Sequence, residues 1–172
     1  MMYDQAIALI EKLDIRCVVF DIDGVMTDGS IVVDADGREL FKPFNVKDGL
    51  GVQMLAKAGF ELGIITGRSS TIVAARAQTL GIQHVYQGKL DKTAAFEDLL
   101  NKLGITEKQV AYIGDDMPDV PLLKRVGFSA CPADADNSAA SAAVWQSAFK
   151  GGRGAVREFA DLILNAREKS NA

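Results

Sequence analysis

The chain has 172 residues, 48% of them apolar and 24% charged, which is the balance of one ordinary globular domain. Nineteen Lys and Arg against twenty-three Asp and Glu leave a net charge of −4 with a pI near 5.0, so a broad basic surface for nucleic acid or anionic lipid is not expected. Any anionic ligand must be met by local groups.

The N-terminal stretch MMYDQAIALIEKLD carries Asp4 and Glu11 where an export signal needs a basic start and an unbroken apolar core. No apolar run approaches the roughly 20 residues that cross a bilayer. Ile15 to Phe20 is rich in β-branched residues and reads as a buried strand. Ser30 to Val33 and Arg38 to Phe41 flank the turn-forming Asp34-Ala35-Asp36-Gly37, predicting a projecting β-hairpin over about 30–42. A helix from about Asp48 to Ala58 follows, then a strand at Leu62 to Ile65, a helix beginning near Ser70 and a strand at His84 to Tyr86. Phe96, Leu99, Leu100 and Leu103 repeat at helical spacing, Val110 to Ile113 reads as a strand, and Phe128 to Cys131 does so more weakly. Val156, Phe159, Ala160 and Ile163 mark a last amphipathic helix, and the polar tail Arg167 to Ala172 is expected to fray.

Strands alternating with helices imply right-handed crossovers, hence a three-layer α/β sandwich with a mainly parallel, Rossmann-like sheet. No linker or internal repeat interrupts the chain, so residues 1–172 read as a single domain. Cys17 and Cys131 lie in apolar contexts without C-x-x-C spacing, which suggests neither a disulfide framework nor a zinc site and fits a cytoplasmic location.

In such sheets ligands collect at the carboxyl ends of the strands, and there this chain is unusually polar. Asp21 and Asp23 follow the first strand; the pair reads either as a solvated turn or as two carboxylates sharing a cation, for which all-oxygen ligands favour Mg²⁺. Gly114-Asp115-Asp116-Met117-Pro118-Asp119 opens a helix, where capping explains one carboxylate but not three. Thr66-Gly67-Arg68-Ser69 lies before a helix start, so it is a candidate phosphate cradle, although Ser69 also reads as a plain N-cap. Lys92 sits at the beginning of a helix, where the dipole disfavours a cation and a functional charge is therefore hinted. The single histidine, His84, lacks a nucleophile motif and reads as structural, as Trp145, Met54 and Phe149 read as core or interface.

Asp-x-Asp-Gly-Val-x-Thr, then Thr-Gly-Arg after a strand, then a lysine, then Gly-Asp-Asp-x-x-Asp, in that order, resemble the four motifs of the haloacid dehalogenase superfamily of phosphotransferases. Phe44-Asn45-Val46-Lys47-Asp48-Gly49, Tyr86-Gln87-Gly88, Val110 to Gly114 and Gly151-Gly152-Arg153-Gly154-Ala155-Val156-Arg157-Glu158 further resemble the family of phosphatases that act on 3-deoxy-D-manno-octulosonate 8-phosphate in lipopolysaccharide synthesis.

The resemblance implies Asp21 as the nucleophile, Asp23 as the general acid and base, and Mg²⁺ held by Asp21, the Asp23 backbone carbonyl and Asp115 with Asp116 in support. It implies that Thr66 and Gly67 hold the transferring phosphoryl group, that Lys92 neutralises it and that Asp119 holds Lys92, with Lys89 as the competing lysine. The substrate would be a small phosphorylated sugar acid. Arg68 would pair with its carboxylate and favour the eight-carbon acid over the nine-carbon one, with Asn45, Lys47 and Arg153 adding to the anion pocket. The segment between Asp23 and Thr66 is too short for a separate cap, which points to a neighbouring subunit as the lid; the resemblance implies a homotetramer whose hairpins form a central barrel, with the Gly-Gly-Arg-Gly tail reaching an adjacent site. A phosphatase for another small phosphate ester and a non-catalytic scaffold of the same fold stand as alternatives.

Overall fold

The computed structural model describes residues 1–170. In chain order the regular elements are α1 (Tyr3–Ile10), β1 (Cys17–Phe20), β2 (Val32–Val33), β3 (Glu39–Phe41), α2 (Val46–Lys57), β4 (Glu61–Ile65), α3 (Thr71–Leu80), β5 (His84–Tyr86), α4 (Lys92–Leu103), β6 (Val110–Ile113), α5 (Val120–Leu123), β7 (Phe128–Cys131), α6 (Asn137–Ala142), β8 (Trp145–Gln146) and α7 (Ala155–Ser170). Six strands form one sheet in the order β5-β4-β1-β6-β7-β8, every neighbouring pair parallel. The antiparallel hairpin β2-β3 stands outside it. From β1 the chain builds outward through β4 to β5, then returns to the other side of β1 through β6. The crevice between the ends of β1 and β6 is therefore the topological switch point, where open α/β sheets bind ligands.

Alternation along the strands divides the core. Val18 and Phe20 of β1 face a layer built by α1, α2 and α7 with Ile7, Leu55, Val156 and Phe159, while Cys17 and Val19 face Phe96, Leu99 and Leu122 on the other side. Phe20 meets Phe159 edge-on with ring centroids 6.4 Å apart, and Phe128 stacks on Phe159 at 6.2 Å. Burial on both faces explains why these strands read as continuous apolar runs. Among the described residues no helix is long and apolar enough to cross a membrane.

Several boundaries differ from the sequence reading for local reasons. The helix expected from Asp48 begins at Val46, because the Asn45 side chain accepts hydrogen bonds from the Lys47 and Asp48 amides at 2.8 and 3.4 Å. Ser70, not Ser69, caps α3. Helix α1 and the two-residue β8 were not anticipated; α1 is held by packing on α7, and β8 by pairing with β7. The tail expected to fray from Arg167 is helical to Ser170: Ala166 is buried and the Arg167 guanidinium lies 4.5 Å from the centroid of the Phe60 ring. Residues 171–172 of that expectation lie outside the described residues. Between β1 and β4 the chain forms only the hairpin and α2.

Candidate active site

A cleft at the carboxyl edge of the sheet is lined by Asp21, Asp23, Thr66, Gly67, Arg68, Lys92, Asp115, Asp116 and Asp119, with Leu90 and Pro118 as its apolar members. Four loops converge because four parallel strands end there. The Asp21 amide donates to the Ile113 carbonyl at 3.1 Å, which extends the β1-β6 ladder one residue and aims the first acidic loop into the switch-point crevice. Gly24 (φ +86°) lets that loop pass beside Asp115: a Cβ there would lie 2.0 Å from Asp115 Oδ2.

Lys92, only 3% exposed in its side chain, projects from the start of α4 between two carboxylates, with Nζ 3.0 Å from Asp21 Oδ1 and 2.5 Å from Asp119 Oδ1. Asp119 is fully engaged. Its Oδ1 also accepts from the buried Tyr112 hydroxyl at 2.5 Å, and its Oδ2 accepts from the Asp115 and Asp116 amides at 2.8 and 3.1 Å. Gly114 is required beside it, since a Cβ would come within 2.5 Å of the Asp119 side chain.

The electrostatics are those of carboxylates crowded out of water. Burial pushes the Asp21 carboxyl up to about 6 against the pull of Lys92, and Asp119 adds to the rise. Burial and the neighbouring Asp21, Asp119 and Asp116 push Asp115 up to about 8. Burial alone would lower the Lys92 ammonium, but Asp21 and Asp119 outweigh it and hold its pKa above the ordinary lysine value.

These residues fit a hard divalent cation. Oxygens of Asp21, Asp115 and Asp119 lie within 4.8 Å of one another, and Asp21 Oδ1 is buried with no hydrogen bond, Lys92 being close but misaligned. With Asp119 already satisfied by four donors, Asp21 and Asp115 are the carboxylates left to hold the ion. Mg²⁺ added to metal-free protein is expected to raise its melting temperature, by an amount equivalent to about 2.7 kcal/mol at a hundredfold excess over Kd. Asp115→Asn should abolish that shift while raising the melting temperature of the metal-free protein, because it removes a crowded charge. Calorimetry across a magnesium titration measures both.

Of the residues singled out in the sequence, Asp21, Asp23, Thr66, Gly67, Arg68, Lys92, Asp115, Asp116 and Asp119 share this cleft. Lys92 occupies its buried interior, whereas Lys89 is exposed and does not line it. Asp116 is exposed and its side chain accepts from the Met117 amide. Asn45, Lys47 and Arg153 lie elsewhere: the Asn45 oxygen caps α2, and Lys47 and Arg153 line a separate groove with Phe149 and Arg157. Gly151-Gly152-Arg153-Gly154 is not a free tail. Gly152 (φ +61°) donates to the Val25 carbonyl at 2.8 Å, and a Cβ on Gly151 would lie 1.8 Å from the Gly24 carbonyl oxygen, so the segment is packed beneath the chain's own first acidic loop. Trp145 is in the core, as expected, while Phe149 is half exposed.

Lys42 was missed. Its ammonium is buried at the foot of the hairpin, bonded to Asp23 Oδ1 and 3.0 Å from Glu39 Oε2. Burial would raise the Glu39 carboxyl, but hydrogen bonds from Ser70 and Lys42 bring it below the ordinary glutamate value. A lysine beside an exposed Phe41, in a hairpin with no periodicity pointing inward, carries no sequence signal for this position.

A buried aspartate loop at the switch point, a Thr-Gly-Arg turn before a helix, a buried lysine and an acidic loop on one sheet edge define a hydrolase of the haloacid dehalogenase class. The family model for haloacid dehalogenase-like hydrolases matches residues 45–127. The chain is 47% identical over 156 residues to the 3-deoxy-D-manno-octulosonate 8-phosphate phosphatase KdsC of Yersinia pestis, covering 91% of this chain and 83% of that one. It is 46% identical to that of Escherichia coli strain K12, covering 91% and 82%. The crystal structure of the Moraxella catarrhalis phosphatase, in complex with magnesium, phosphate and KDO, superimposes with a TM-score of 0.91 at 39% identity, covering 98% of this chain and 95% of that one. The chain belongs to the family of 3-deoxy-D-manno-octulosonate 8-phosphate phosphatases.

Proposed function

We propose that this chain hydrolyses 3-deoxy-D-manno-octulosonate 8-phosphate to the free sugar acid and phosphate, in the cytoplasm, as a step of lipopolysaccharide synthesis. The observation that carries the reading is the meeting of Asp21, Asp115 and Lys92 at the switch point with Arg68 at the mouth of the same cleft. The Moraxella relative, which bears magnesium, phosphate and the sugar product, supports the choice of metal and substrate.

Asp21 attacks phosphorus as the bond to the sugar oxygen breaks, forming an aspartyl phosphate. Asp23 gives its proton to the leaving oxygen and, as a carboxylate, takes one from the water that then attacks the same phosphorus, releasing phosphate and restoring Asp21. Lys92 and the Thr66-Gly67 turn hold the transferring oxygens, and Asp119 holds Lys92. Asp21, Asp115 and the Asp23 backbone carbonyl, with Asp116 in support, would hold magnesium, which when bound would supply positive charge that offsets repulsion between carboxylate and phosphate.

Arg68 has a side chain 49% exposed, tethered only loosely at 3.9 Å from both Asp23 and Glu39, and so is free to pair with a substrate carboxylate. Turnover of the eight- and nine-carbon sugar acid phosphates should differ in favour of the first, and Arg68→Ala should raise KM for it by about tenfold, the worth of one charge-assisted pair. Unaltered selectivity in that variant would transfer the reading to another small phosphate ester.

The hairpin exposes Ile31, Val33, Leu40 and Phe41, an apolar surface that a lone chain leaves wet. This supports a homotetramer in which the hairpins pack together and neighbouring subunits close the sites that have no cap. Sedimentation should give four times the chain mass, and Leu40→Asp with Phe41→Asp should release smaller species.

A further inference from the structure

Lys42 stands apart from the four sequence motifs and is not used in the mechanism above. Its side chain is 1% exposed, against 49% for Arg68. It is therefore closed off from a substrate in the cleft and acts only through what it touches. Those partners are both carboxylates: Asp23 Oδ1, and Glu39 Oε2 at 3.0 Å. Glu39 is in turn fixed by the hydroxyl of Ser70, the residue that caps α3 directly after the phosphate-cradling turn. The far oxygen of Asp23, Oδ2, accepts no side-chain hydrogen bond among the described residues, and its one ion pair is with the Arg68 guanidinium at 3.9 Å.

The two oxygens of Asp23 are thus unequal. One is held by a buried ammonium, and the other lies on the side of Arg68, which lines the cleft with Asp23. Burying that ammonium costs desolvation, which only good pairing offsets, so its placement specifies an orientation more than it adds stability. The hairpin delivers it: β3 ends at Phe41, Lys42 turns inward, and Pro43 restricts Lys42 to an extended backbone.

We propose that Lys42 is a positioning residue for the proton-transfer step, fixing the Asp23 carboxyl so that Oδ2 is presented to the leaving-group oxygen. The proposal rests on the reading of Asp23 as the general acid. Proton transfer depends steeply on geometry, and a displaced acid loses most of its effect. The loss must then depend on the leaving group: a sugar alkoxide needs the proton, whereas an aryl oxide leaves without it.

The experiment compares kcat/KM, which reports steps up to release of the alcohol, for the eight-carbon sugar acid phosphate and for p-nitrophenyl phosphate. Lys42→Met should lower the sugar value about 30- to 100-fold through kcat and the aryl value less than about threefold, and Lys42→Arg should recover part of the sugar value. Equal losses on both esters, as a folding defect would give, or no loss on the sugar ester, would overturn the proposal. Asp23→Asn, measured in parallel, separates the two readings. If it shows the leaving-group dependence and Lys42→Met does not, only the Lys42 role fails; if Asp23→Asn lacks it too, the general-acid reading falls with it.

Discussion

Asp21→Asn is expected to abolish phosphate release, by about 10⁴-fold or more, while leaving the fold intact. The substitution keeps the volume of the side chain and its buried setting but replaces the carboxylate proposed to attack phosphorus with an amide that does not. It also removes one of two carboxylates available to a cation, so magnesium should bind more weakly. Because burial and Asp119 already disfavour charge at Asp21, the metal-free variant should melt no lower than the parent. Rapid-quench labelling with a ³²P-labelled ester tests the intermediate directly: acid-stable, hydroxylamine-sensitive label should appear on the parent chain and be missing from Asp21→Asn. Label of equal amount on the variant would place the covalent chemistry on another residue.

Lys92→Met combines a large catalytic loss with a large structural one. The ammonium is buried between Asp21 and Asp119, with the Tyr112 hydroxyl 3.5 Å away, and its removal leaves two carboxylates facing each other without a cation. Breaking a buried pair from one side costs about 3 kcal/mol or more. Turnover should fall about 10³-fold, because the buried cation proposed to neutralise the transferring phosphoryl group is lost. Urea denaturation and steady-state kinetics of the same preparation check both. Magnesium should recover part of the stability, since a divalent ion neutralises the same crowded carboxylates, but not the turnover. A variant as stable as the parent in metal-free buffer would show that Asp21 and Asp119 do not depend on Lys92 for their charge balance.

These expectations show why the exposed and the buried residues of the cleft behave differently. Arg68 and Asp116 border solvent, so changing them should cost the fold little, whatever it does to the proposed selectivity and metal support. Lys92, Asp119 and Tyr112 are interior and bonded to one another, so a change at any of them leaves a buried polar group of another short of a partner. Asp119 shows what the fold adds to such a reading. From the chain, the four-motif resemblance implies only that it holds Lys92. In the fold its four accepted hydrogen bonds make it the clamp that holds Lys92 and the amides of the acidic loop.

The alternation of buried strands with amphipathic helices, and the polar loop after each strand, were legible in the chain because periodicity and turn chemistry are local properties. They were enough to place Asp21, Thr66, Lys92 and Asp115 on one edge, since parallel strands joined by right-handed crossovers must end on the same side. Local pattern carries no information about which neighbours a side chain meets across the sheet. Only the tertiary structure separated Lys92 from Lys89, turned Asn45 into a helix cap, moved Lys47 and Arg153 into a groove of their own, and packed the Gly151–Gly154 segment beneath Gly24. It alone brought Lys42 from the hairpin to Asp23, nineteen residues away in sequence, because an ion pair between distant segments is decided by the path of the backbone and by burial, neither of which leaves a trace in spacing.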